Sequence, residues 1–556
     1  MAVVLLVLLT CVTLLPVLLQ AAGITPVSHE SEPAFWHDIA QREMEDSLRP
    51  RPQGVAKNII FFLGDGMGPT SVTAARILQG QLKGRRGEEE KLSFDKFPYT
   101  GLSRTYSVDH QITDSAASGT AYLTGVKTNS GLLGLSAAAV RKQCNSTAGA
   151  SVDSILRWSL QEGKSAGIVT TARVTHASPG ASYAHSADRD WESDRHIPAD
   201  QKNCEDIALQ LISRNSDIHV VLGGGRAAFY PEDFEDPDPN PSFNTSKDSR
   251  TDGRNLIQEW KSYMTSQGLK HKFVFNKTGF NDVTAANTDF LLGLFSQDHM
   301  SYELNRDATK EPSLSEMTEK AISILRKNPK GFFLFVEGGR IDHGHHASLA
   351  VHALHETVAF AQAVQTATTL TDQLDTLTVV TADHSHVMSI AGYATRGNPI
   401  LGLSDSDQKV PSLATLDKKP YTTLLYGTGP GYRETRPNIT LENTADKRYI
   451  SQSAVPMSKE THGGEDVGIF AQGPQSFLYT GVHEQNYIPM VMAYASCVGP
   501  YAEGGKPCAR HAAVKDDTQK NSRSSAGFIQ ANVAVLVFLF TLCSFSQHSS
   551  IITVHL

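Results

Sequence analysis

Short apolar runs recur along the chain, and polar or glycine-rich segments separate each run from the next. The runs lie at 58–66, 165–172, 219–225, 331–339 and 377–386. Runs that are apolar on both faces, with long connections between them, are typical of a mainly parallel β-sheet covered by helices. The pattern therefore predicts an α/β fold.

Two stretches between these runs lack the pattern. Residues 231–253 are rich in proline, aspartate and serine, and residues 395–450 are dense in glycine, proline, threonine and polar residues. We interpret both as surface insertions, near 231–310 and 395–450, in a single α/β domain that covers residues 24–500. A chain of 556 residues is long enough for a large domain of this kind.

Three of the apolar runs end at residues that can bind metals. The first run leads into Asp65, the fourth into Glu337, and the fifth into Asp383 and His384. In open α/β sheets, ligands bind beyond the carboxyl ends of the strands. Any one of these acids could instead cap a helix or lie in a turn, but three acids with a histidine favour a shared site.

The segment after the fourth run has the spacing of a metal site on a helix. Asp342 and His346 are four residues apart and would share one helix face. Carboxylate oxygen and imidazole nitrogen are ligands of zinc, and His462 is a further candidate ligand. Positions rich in imidazole favour zinc, whereas an all-oxygen position favours magnesium. We expect His343, His345 and His386 to lie beside the ligands or on the surface.

A candidate nucleophile lies in "TDSAASGTAY", residues 113–122. Ser115 stands there among small residues that could open a helix, and a helix N-terminus favours a bound anion. An ordinary serine- and alanine-rich helix start is the alternative. A pair of zinc ions nearby would favour the interpretation of Ser115 as a nucleophile over an ordinary helix start, because a metal can stabilise a serine alkoxide without a histidine base.

The N-terminal end has the composition of a secretory signal. Residues 1–23 form an apolar run that closes with small residues. This pattern is typical of a cleaved signal peptide, and an uncleaved membrane anchor is the alternative.

The C-terminal end has the order of a glycolipid-anchor signal. A polar tether (501–526) carries small residues at its end, and an apolar run (533–545) follows. We expect residues 527–556 to be removed and the anchor to be attached at Ser524 or Ser525; a short transmembrane tail is the alternative. The expected location is the extracellular face of the cell membrane.

The cysteine and asparagine patterns agree with a secreted protein. Four cysteines remain once both ends are removed, and they allow three pairings, of which 144–204 with 497–508 is the simplest. These residues are Cys144, Cys204, Cys497 and Cys508. Acceptor sequences for N-glycosylation occur at Asn145, Asn244, Asn276 and Asn438.

The chain resembles animal alkaline phosphatase from about residue 30 to 500, and its overall look is closest to the intestinal/placental type. The resemblance rests on six motifs in the same order: "FFLGDGMG", "TDSAASGTAY", "HASPGASYAH", "FVEGGRIDHGHH", "TADHSH" and "ETHGGED". It implies a three-layer αβα sandwich around a mainly parallel central sheet, with surface insertions. It also implies a homodimeric enzyme that hydrolyses phosphate monoesters.

The resemblance further implies two Zn²⁺ and one Mg²⁺ per subunit. Asp342, His346 and His462 resemble the ligands of one zinc. Asp65, Asp383 and His384 resemble those of the second zinc, which also meets Ser115. Asp65, Ser178 and Glu337 resemble the magnesium ligands, with His176 close by.

Other roles are implied in the same way. Ser115 resembles the nucleophile that forms a phosphoserine intermediate, and Arg189 resembles the arginine that binds phosphate through its bidentate fork. Tyr393 resembles the tyrosine that reaches the partner's active site.

The sequence departs from the resemblance at a peripheral calcium site. Phe295 and Glu311 remain available as ligands, but Asn240 and Ser296 stand at positions where acids are expected. The loss of two charges predicts a weak or empty site, unless acids of the 231–253 loop replace them.

Composition and motifs weaken the rival functions. A net charge of −8 without a dense basic run argues against a nucleic-acid-binding protein. A sulfatase would need a C-x-P-x-R motif, which the sequence lacks, and diesterases usually use threonine as the nucleophile. A receptor or adhesion module without catalysis is the remaining alternative, and the filled catalytic positions argue against it.

Overall fold

The structure is a computed structural model that describes residues 51–239, 248–406 and 415–502, with six residues between 35 and 44. Residues 1–51 form one unit, in which the six described residues between 35 and 44 are helical. Residues 52–556 form the second unit, which contains every element described below. The expected signal peptide and anchor signal, most of the tether, Asn240, Asn244, Cys508, Ser524 and Ser525 lie outside the described residues.

The second unit is built around fifteen strands in its described part. They are β1 (Asn58–Gly64), β2 (Tyr99–Arg104), β3 (Ser165–Arg173), β4 (Val220–Gly224), β5 (His271–Val274), β6 (Phe290–Leu294), β7 (Phe332–Gly338), β8 (Thr376–Ala382), β9 (Ser385–His386), β10 (Met388–Ile390), β11 (Leu424–Gly429), β12 (Ser453–Pro456), β13 (His462–Gly463), β14 (Val467–Gln472) and β15 (Gly481–Glu484).

The α-helices of this part connect the strands and cover the sheet. They are α1 (Pro69–Leu82), α2 (Ser115–Thr124), α3 (Ile155–Gln161), α4 (Ala177–Gly180), α5 (Ile207–Arg214), α6 (Leu256–Ser266), α7 (Lys277–Asn281), α8 (Leu314–Leu325), α9 (Arg340–His346), α10 (Ala350–Leu370) and α11 (Tyr487–Ser496). Across the described ranges, no helix combines the length and apolar character needed to cross a membrane.

Ten strands form the central sheet, in the order β15-β2-β14-β8-β1-β7-β3-β4-β6-β5. β14 pairs antiparallel with β2 and β8, and the other neighbours in this sheet pair parallel. The predicted α/β fold with a mainly parallel sheet is therefore confirmed. Each of the five predicted apolar runs overlaps one of its strands.

The sheet separates two apolar cores because successive side chains of a strand point to opposite faces. In β1, Ile59, Phe61 and Leu63 belong to one core, and Ile60 and Phe62 belong to the other. Burying a large apolar side chain contributes about 1.5–3 kcal/mol. Two buried faces explain why the central strands are apolar without alternation.

The two predicted insertions are more regular than expected. The range near 231–310 contributes β5 and β6 to the central sheet, because the apolar run at 290–294 supplies a buried strand. Within 395–450, β11 pairs with β10 and β12 in a small separate sheet. β5 and β6 therefore belong to the central sheet, and the interpretation of the two ranges as insertions stays a prediction.

A disulfide joins Cys144 to Cys204, with Cα atoms 5.6 Å apart. It joins the two ends of the segment that contains α3, β3 and α4. The two half-buried cysteines pack beside a small core around Trp191. Cys497 is also disulfide-bonded. The expected pairing of Cys144 with Cys204 is therefore present in the structure.

The strand register brings the predicted acids together. β1 lies between β7 and β8, and Leu63 is level with Glu337 and with Thr381. Asp65 and Asp383 follow directly after the ends of their strands. The three acids therefore meet at one edge of the sheet.

Candidate metal and catalytic site

Ser115 is the first residue of helix α2, and local interactions fix it there. Asp114 is the N-cap residue, and its carboxylate accepts a hydrogen bond from the backbone N–H of Ala117 at 3.2 Å. The helix ends at Gly125, whose φ of 81° is the left-handed conformation that favours glycine. Every residue of this helix is buried, and Ser115 as a whole is only 3% exposed.

The first group of metal-ligating side chains lies directly beside Ser115. The Nε2 atom of His384 is 3.3 Å from the Ser115 hydroxyl, 3.1 Å from Asp383 and 3.7 Å from Asp65. All four residues are buried. The sequence-predicted Asp65, Asp383 and His384 therefore form one group with the candidate nucleophile.

A second group lies next to the first one. On helix α9, His346 Nε2 is 3.4 Å from Asp342 Oδ1, as the spacing of four residues predicted. His462 Nε2 is also 3.4 Å from Asp342 and is 3.2 Å from His346 Nε2. His462 reaches this place because β13 pairs antiparallel with β9, directly after His384. The rings of His384 and His462 stack with centroids 3.5 Å apart, so the two groups are contiguous.

The ring orientations leave three imidazole lone pairs facing carboxylates. The Nδ1 atoms of His346, His384 and His462 each lie within hydrogen-bond distance of a backbone carbonyl, at 2.6, 3.2 and 2.8 Å. Donation from Nδ1–H to the carbonyl leaves Nε2 as an acceptor. Nε2 and the nearby carboxylate oxygens are then all acceptors. Such a set is stable when a cation lies between them, and ligating histidines usually donate their other N–H in this manner.

Buried oxygens without hydrogen bonds give a second test of metal binding. In the described part of the chain, both carboxylate oxygens of Asp65, Oδ2 of Asp383, Oε1 of Glu337 and the hydroxyl of Ser178 make no hydrogen bond. Orphaned buried oxygens are costly. Divalent cations with oxygen ligands would satisfy them, so these residues fit the metals that the sequence implied.

The pKa values of the buried acids are raised, because too little positive charge lies near them to offset their burial. Burial, and then repulsion by Asp383, Asp342 and Glu337, raises the pKa of Asp65 well above its ordinary value. Burial also raises the pKa of Glu337 to about 7, although the hydroxyl of Thr170 donates a hydrogen bond to it. Positive charge is needed at this edge of the sheet to keep both carboxylates ionised.

His386 and Glu460 belong to the site. The sequence left His386 either beside the ligands or on the surface, and the structure buries it beside them; Glu460 was not singled out. His386 lies 2.7 Å from Asp342 and 2.5 Å from Glu460, through different ring nitrogens. Burial alone would lower the pKa of His386, but these two hydrogen bonds raise it to about 10. His386 therefore bridges Asp342 and Glu460 and orients Asp342. The position of His386 two residues after His384 in "DHSH" pointed to a place near the ligands, whereas no motif pointed to Glu460.

His345 is also buried, which excludes the surface position that the sequence left open. Its ring lies 2.9 Å from the Ser71 hydroxyl and 2.8 Å from the Tyr426 hydroxyl. Both ring nitrogens are used in these contacts. His345 therefore supports the helix that carries Asp342 and His346.

Arg189 is held by Asp114, the N-cap residue that directly precedes Ser115. The guanidinium donates to Asp114 at 3.0 Å and lies 3.3 Å from His176 Nε2. Gly131 connects the two partners, because its N–H donates to Asp114 and its carbonyl accepts from the backbone of Arg189. Asp114 was missed in the sequence, although an aspartate before a helix start is a recognisable N-cap.

A further group of three histidines, His176, His299 and His343, has ligand atoms within 4.8 Å of one another. Arginine donors face these rings: Arg189 faces His176, Arg173 faces His299 at 2.7 Å, and Arg340 faces His343 at 3.0 Å. Lone pairs that accept from arginine are not free for a cation, and the surrounding charge is positive. This group is therefore a poor metal site. It lies beside the ligands, as predicted for His343.

The remaining predicted positions are not brought into this site. Phe295 is buried in the core, and Glu311 accepts from the Ser301 backbone at 3.1 Å. Among the described residues, no cluster of three metal-ligating side chains contains Glu311. Asn145 and Asn438 are exposed, whereas Asn276 caps helix α7 and is half-buried.

A mostly parallel sheet with carboxylates, imidazoles and a serine at the carboxyl ends of its strands defines an α/β metallohydrolase. Residues 56–498 match the family model described as alkaline phosphatase. The chain is 52% identical to the tissue-nonspecific isozyme of alkaline phosphatase from Felis catus over 84% of its length and 90% of that protein. The corresponding isozyme of Gallus gallus is 50% identical, with 89% and 95% covered. An alkaline phosphatase from Gadus morhua is 51% identical, with 84% and 98% covered.

Solved structures of bacterial alkaline phosphatases share the fold. The enzyme from the Antarctic bacterium TAB5 matches with a TM-score of 0.54 at 20% identity, covering 80% of this chain and 99% of that one. The Thermus thermophilus enzyme gives a TM-score of 0.56 at 21% identity, covering 85% and 95%. The chain belongs to the alkaline phosphatase family and is an animal-type alkaline phosphatase, a metal-dependent hydrolase of phosphate monoesters.

Proposed function

We propose that Ser115 is the nucleophile of this phosphatase and that the reaction passes through a phosphoserine. The observation that carries the proposal is the position of the Ser115 hydroxyl, at a helix N-terminus and 3.3 Å from His384, beside the pair formed by Arg189 and Asp114. The positive end of the helix dipole favours the negative charge that gathers there.

Two zinc ions and one magnesium ion are the proposed cofactors. Asp342, His346 and His462 would hold one zinc, and Asp65, Asp383 and His384 the other. Asp65, Ser178 and Glu337 would hold the magnesium, since this position offers only oxygen ligands. When bound, these cations would supply charge that favours ionised serine and neutralises the phosphoryl oxygens.

The proposed hydrolysis of the monoester has two steps, phosphoryl transfer to Ser115 and hydrolysis of the phosphoserine. Ser115 Oγ forms a bond to phosphorus, the bond to the ester oxygen breaks, and the alcohol leaves with a proton. Water then attacks phosphorus, the bond to Oγ breaks, and inorganic phosphate leaves while Ser115 regains its proton. Arg189 would hold two phosphoryl oxygens through both steps, because its fork matches their geometry. Asp114 keeps the guanidinium in place.

We further propose the finer assignments that the sequence suggested. The enzyme would be a homodimer of the intestinal/placental type, attached to the outer face of the cell membrane by a glycolipid at Ser524 or Ser525. Tyr393 is 73% exposed, which suits a contact with a partner subunit. Asn145, Asn244, Asn276 and Asn438 are the proposed glycosylation sites. The calcium position around Phe295 and Glu311 would be weak or empty.

The reaction class is tested by comparing an aryl phosphate monoester with the corresponding diester. We expect hydrolysis of the monoester, a much slower reaction with the diester, and loss of both activities after removal of metal by a chelator. Restoration by zinc with magnesium would identify the cofactors. Preferential hydrolysis of the diester, or full activity in the metal-free protein, would contradict the proposal.

Arg189→Ala should lower kcat/KM for phosphate monoesters by about 10²-fold, the typical effect of removing one preorganised donor to a developing oxyanion. The inhibition constant of inorganic phosphate should rise as well, because the same contact binds the product. Arg157→Ala is the matched control, since Arg157 pairs with Asp217, which precedes β4 and so lies at the edge of the sheet opposite to the site. An unchanged inhibition constant for phosphate in the Arg189 variant would exclude the proposed role.

A further inference from the structure

The two carboxylate oxygens of Glu337 have different surroundings. The hydroxyl of Thr170 donates a hydrogen bond to Oε2. In the described part of the chain, Oε1 makes no hydrogen bond, although Glu337 is completely buried. A buried carboxylate oxygen without a donor is costly. Oε1 is therefore the oxygen of Glu337 that remains for a cation.

The side chain of Thr170 is placed by the two strands that flank β3. On one side, Thr170 is level with Glu337, because β3 and β7 pair in parallel. On the other side, a methyl group added at Gly223 of β4 would lie 2.7 Å from Thr170 Cγ2. A larger residue at position 223 would collide with the methyl group of Thr170. The methyl group and the hydroxyl of Thr170 thus have separate partners, Gly223 and Glu337.

The hydroxyl proton of Thr170 has a defined direction. The pairing of β3 with β4 shifts its register between Val169 and Arg173, and there the backbone N–H of Ala172 donates to the Thr170 hydroxyl oxygen at 2.8 Å. A hydroxyl has a single proton to donate. Because an ionised carboxylate can only accept, that proton goes to Glu337 Oε2. The hydrogen bonds from Ala172 through Thr170 to Glu337 therefore run in one direction and keep Oε2 occupied.

We propose that Thr170 is a positioning residue that holds Oε2 of Glu337, leaves Oε1 for the magnesium ion and thereby raises the affinity for this cation. The proposal rests on the magnesium ion proposed above. Magnesium demands near-ideal octahedral geometry, so a carboxylate that turns freely between its two oxygens would bind it less well. Hydrogen bonds that orient a metal ligand typically contribute about 10- to 100-fold in metal affinity.

The test measures the binding of magnesium itself. Metal-free protein is loaded with zinc, and the Kd for Mg²⁺ is then measured by equilibrium dialysis and elemental analysis. Thr170→Val keeps the branched shape and removes the hydroxyl, and we expect it to raise this Kd by about 10-fold or more with unchanged zinc content. Thr170→Ala, which cannot crowd its neighbours, should show the same rise. Thr170→Ser keeps the hydroxyl and should stay within about threefold of the wild type.

Thr171→Val is the matched control. Thr171 is the next residue of β3 and is buried, and its hydroxyl makes no hydrogen bond within the described ranges. Its loss should leave the Kd for Mg²⁺ unchanged. An unchanged Kd in Thr170→Val and Thr170→Ala, or an equal rise in Thr170→Ser or Thr171→Val, would overturn the role of Thr170. If the zinc-loaded wild type binds no Mg²⁺, the proposed magnesium site fails, and the role of Thr170 fails with it.

Discussion

Replacing Ser115 with alanine should lower kcat/KM for phosphate monoesters by about 10⁴-fold or more, in the range found when a nucleophile is removed from an enzyme that forms a covalent intermediate. The reason is that the variant loses the hydroxyl that lies 3.3 Å from His384 at the start of helix α2. Steady-state assays with an aryl phosphate measure the loss. The metal content should stay close to that of the wild type, because Asp65, Asp383 and His384 remain.

Ser118→Ala is the matched control for this variant. Ser118 lies one turn along the same helix, is equally buried, and donates to the carbonyl of Asp114 at 3.0 Å. Its loss removes a hydroxyl of the same size from the same helix, so any general effect on packing is reproduced. We expect near-normal activity in this control. If both variants lose activity equally, the effect is structural and Ser115 is not established as the nucleophile.

Asp65→Asn should abolish the activity and remove metal from two positions, because this carboxylate is proposed to serve both a zinc and the magnesium. Elemental analysis of the purified protein should show fewer than three metal ions per chain, and activity should fall at least about 100-fold. Asp217→Asn, which changes an exposed carboxylate paired with Arg157, is the control and should keep its metals.

The same variant should have opposite effects on stability with and without metal. In metal-free protein, the raised pKa of Asp65 means that its ionised form is disfavoured in the folded state above the ordinary pKa of aspartate. The neutral amide removes this penalty, so the melting temperature of metal-free Asp65→Asn should exceed that of the metal-free wild type at neutral pH. With metals added, the order should reverse, since a ligand that binds only the folded state stabilises it. A lower melting temperature of the variant under both conditions would contradict the assignment.

The central strands could be predicted from the sequence because both of their faces are buried. Such strands are continuous apolar runs, as in β1, β7 and β8. The antiparallel strands β2 and β14 gave no comparable signal: β2 has exposed residues on one face, and β14 alternates buried and half-buried residues. Their places in the sheet depend on tertiary pairing, which a local pattern does not contain.

The site was predictable where chemistry follows a strand or a helical spacing. Asp65, Glu337 and Asp383 follow apolar runs, and Asp342 with His346 has the spacing of one helix turn. The contribution of His386 and Glu460 could not be derived, since it depends on the short pairing of β9 with β13 that brings distant segments together. The expected roles of Arg189 and Ser178 came from the resemblance to animal alkaline phosphatase and not from the spacing of residues.

The most direct measurement of the central claim is peptide mapping of the enzyme quenched with acid during turnover of an aryl phosphate. The covalent intermediate should appear as a phosphorylated peptide, and fragmentation should place the phosphate on Ser115, with Ser118 in the same peptide unmodified. The signal should disappear in Ser115→Ala. Phosphate on another residue, or a phosphopeptide that persists in the Ser115 variant, would contradict the assignment of the nucleophile.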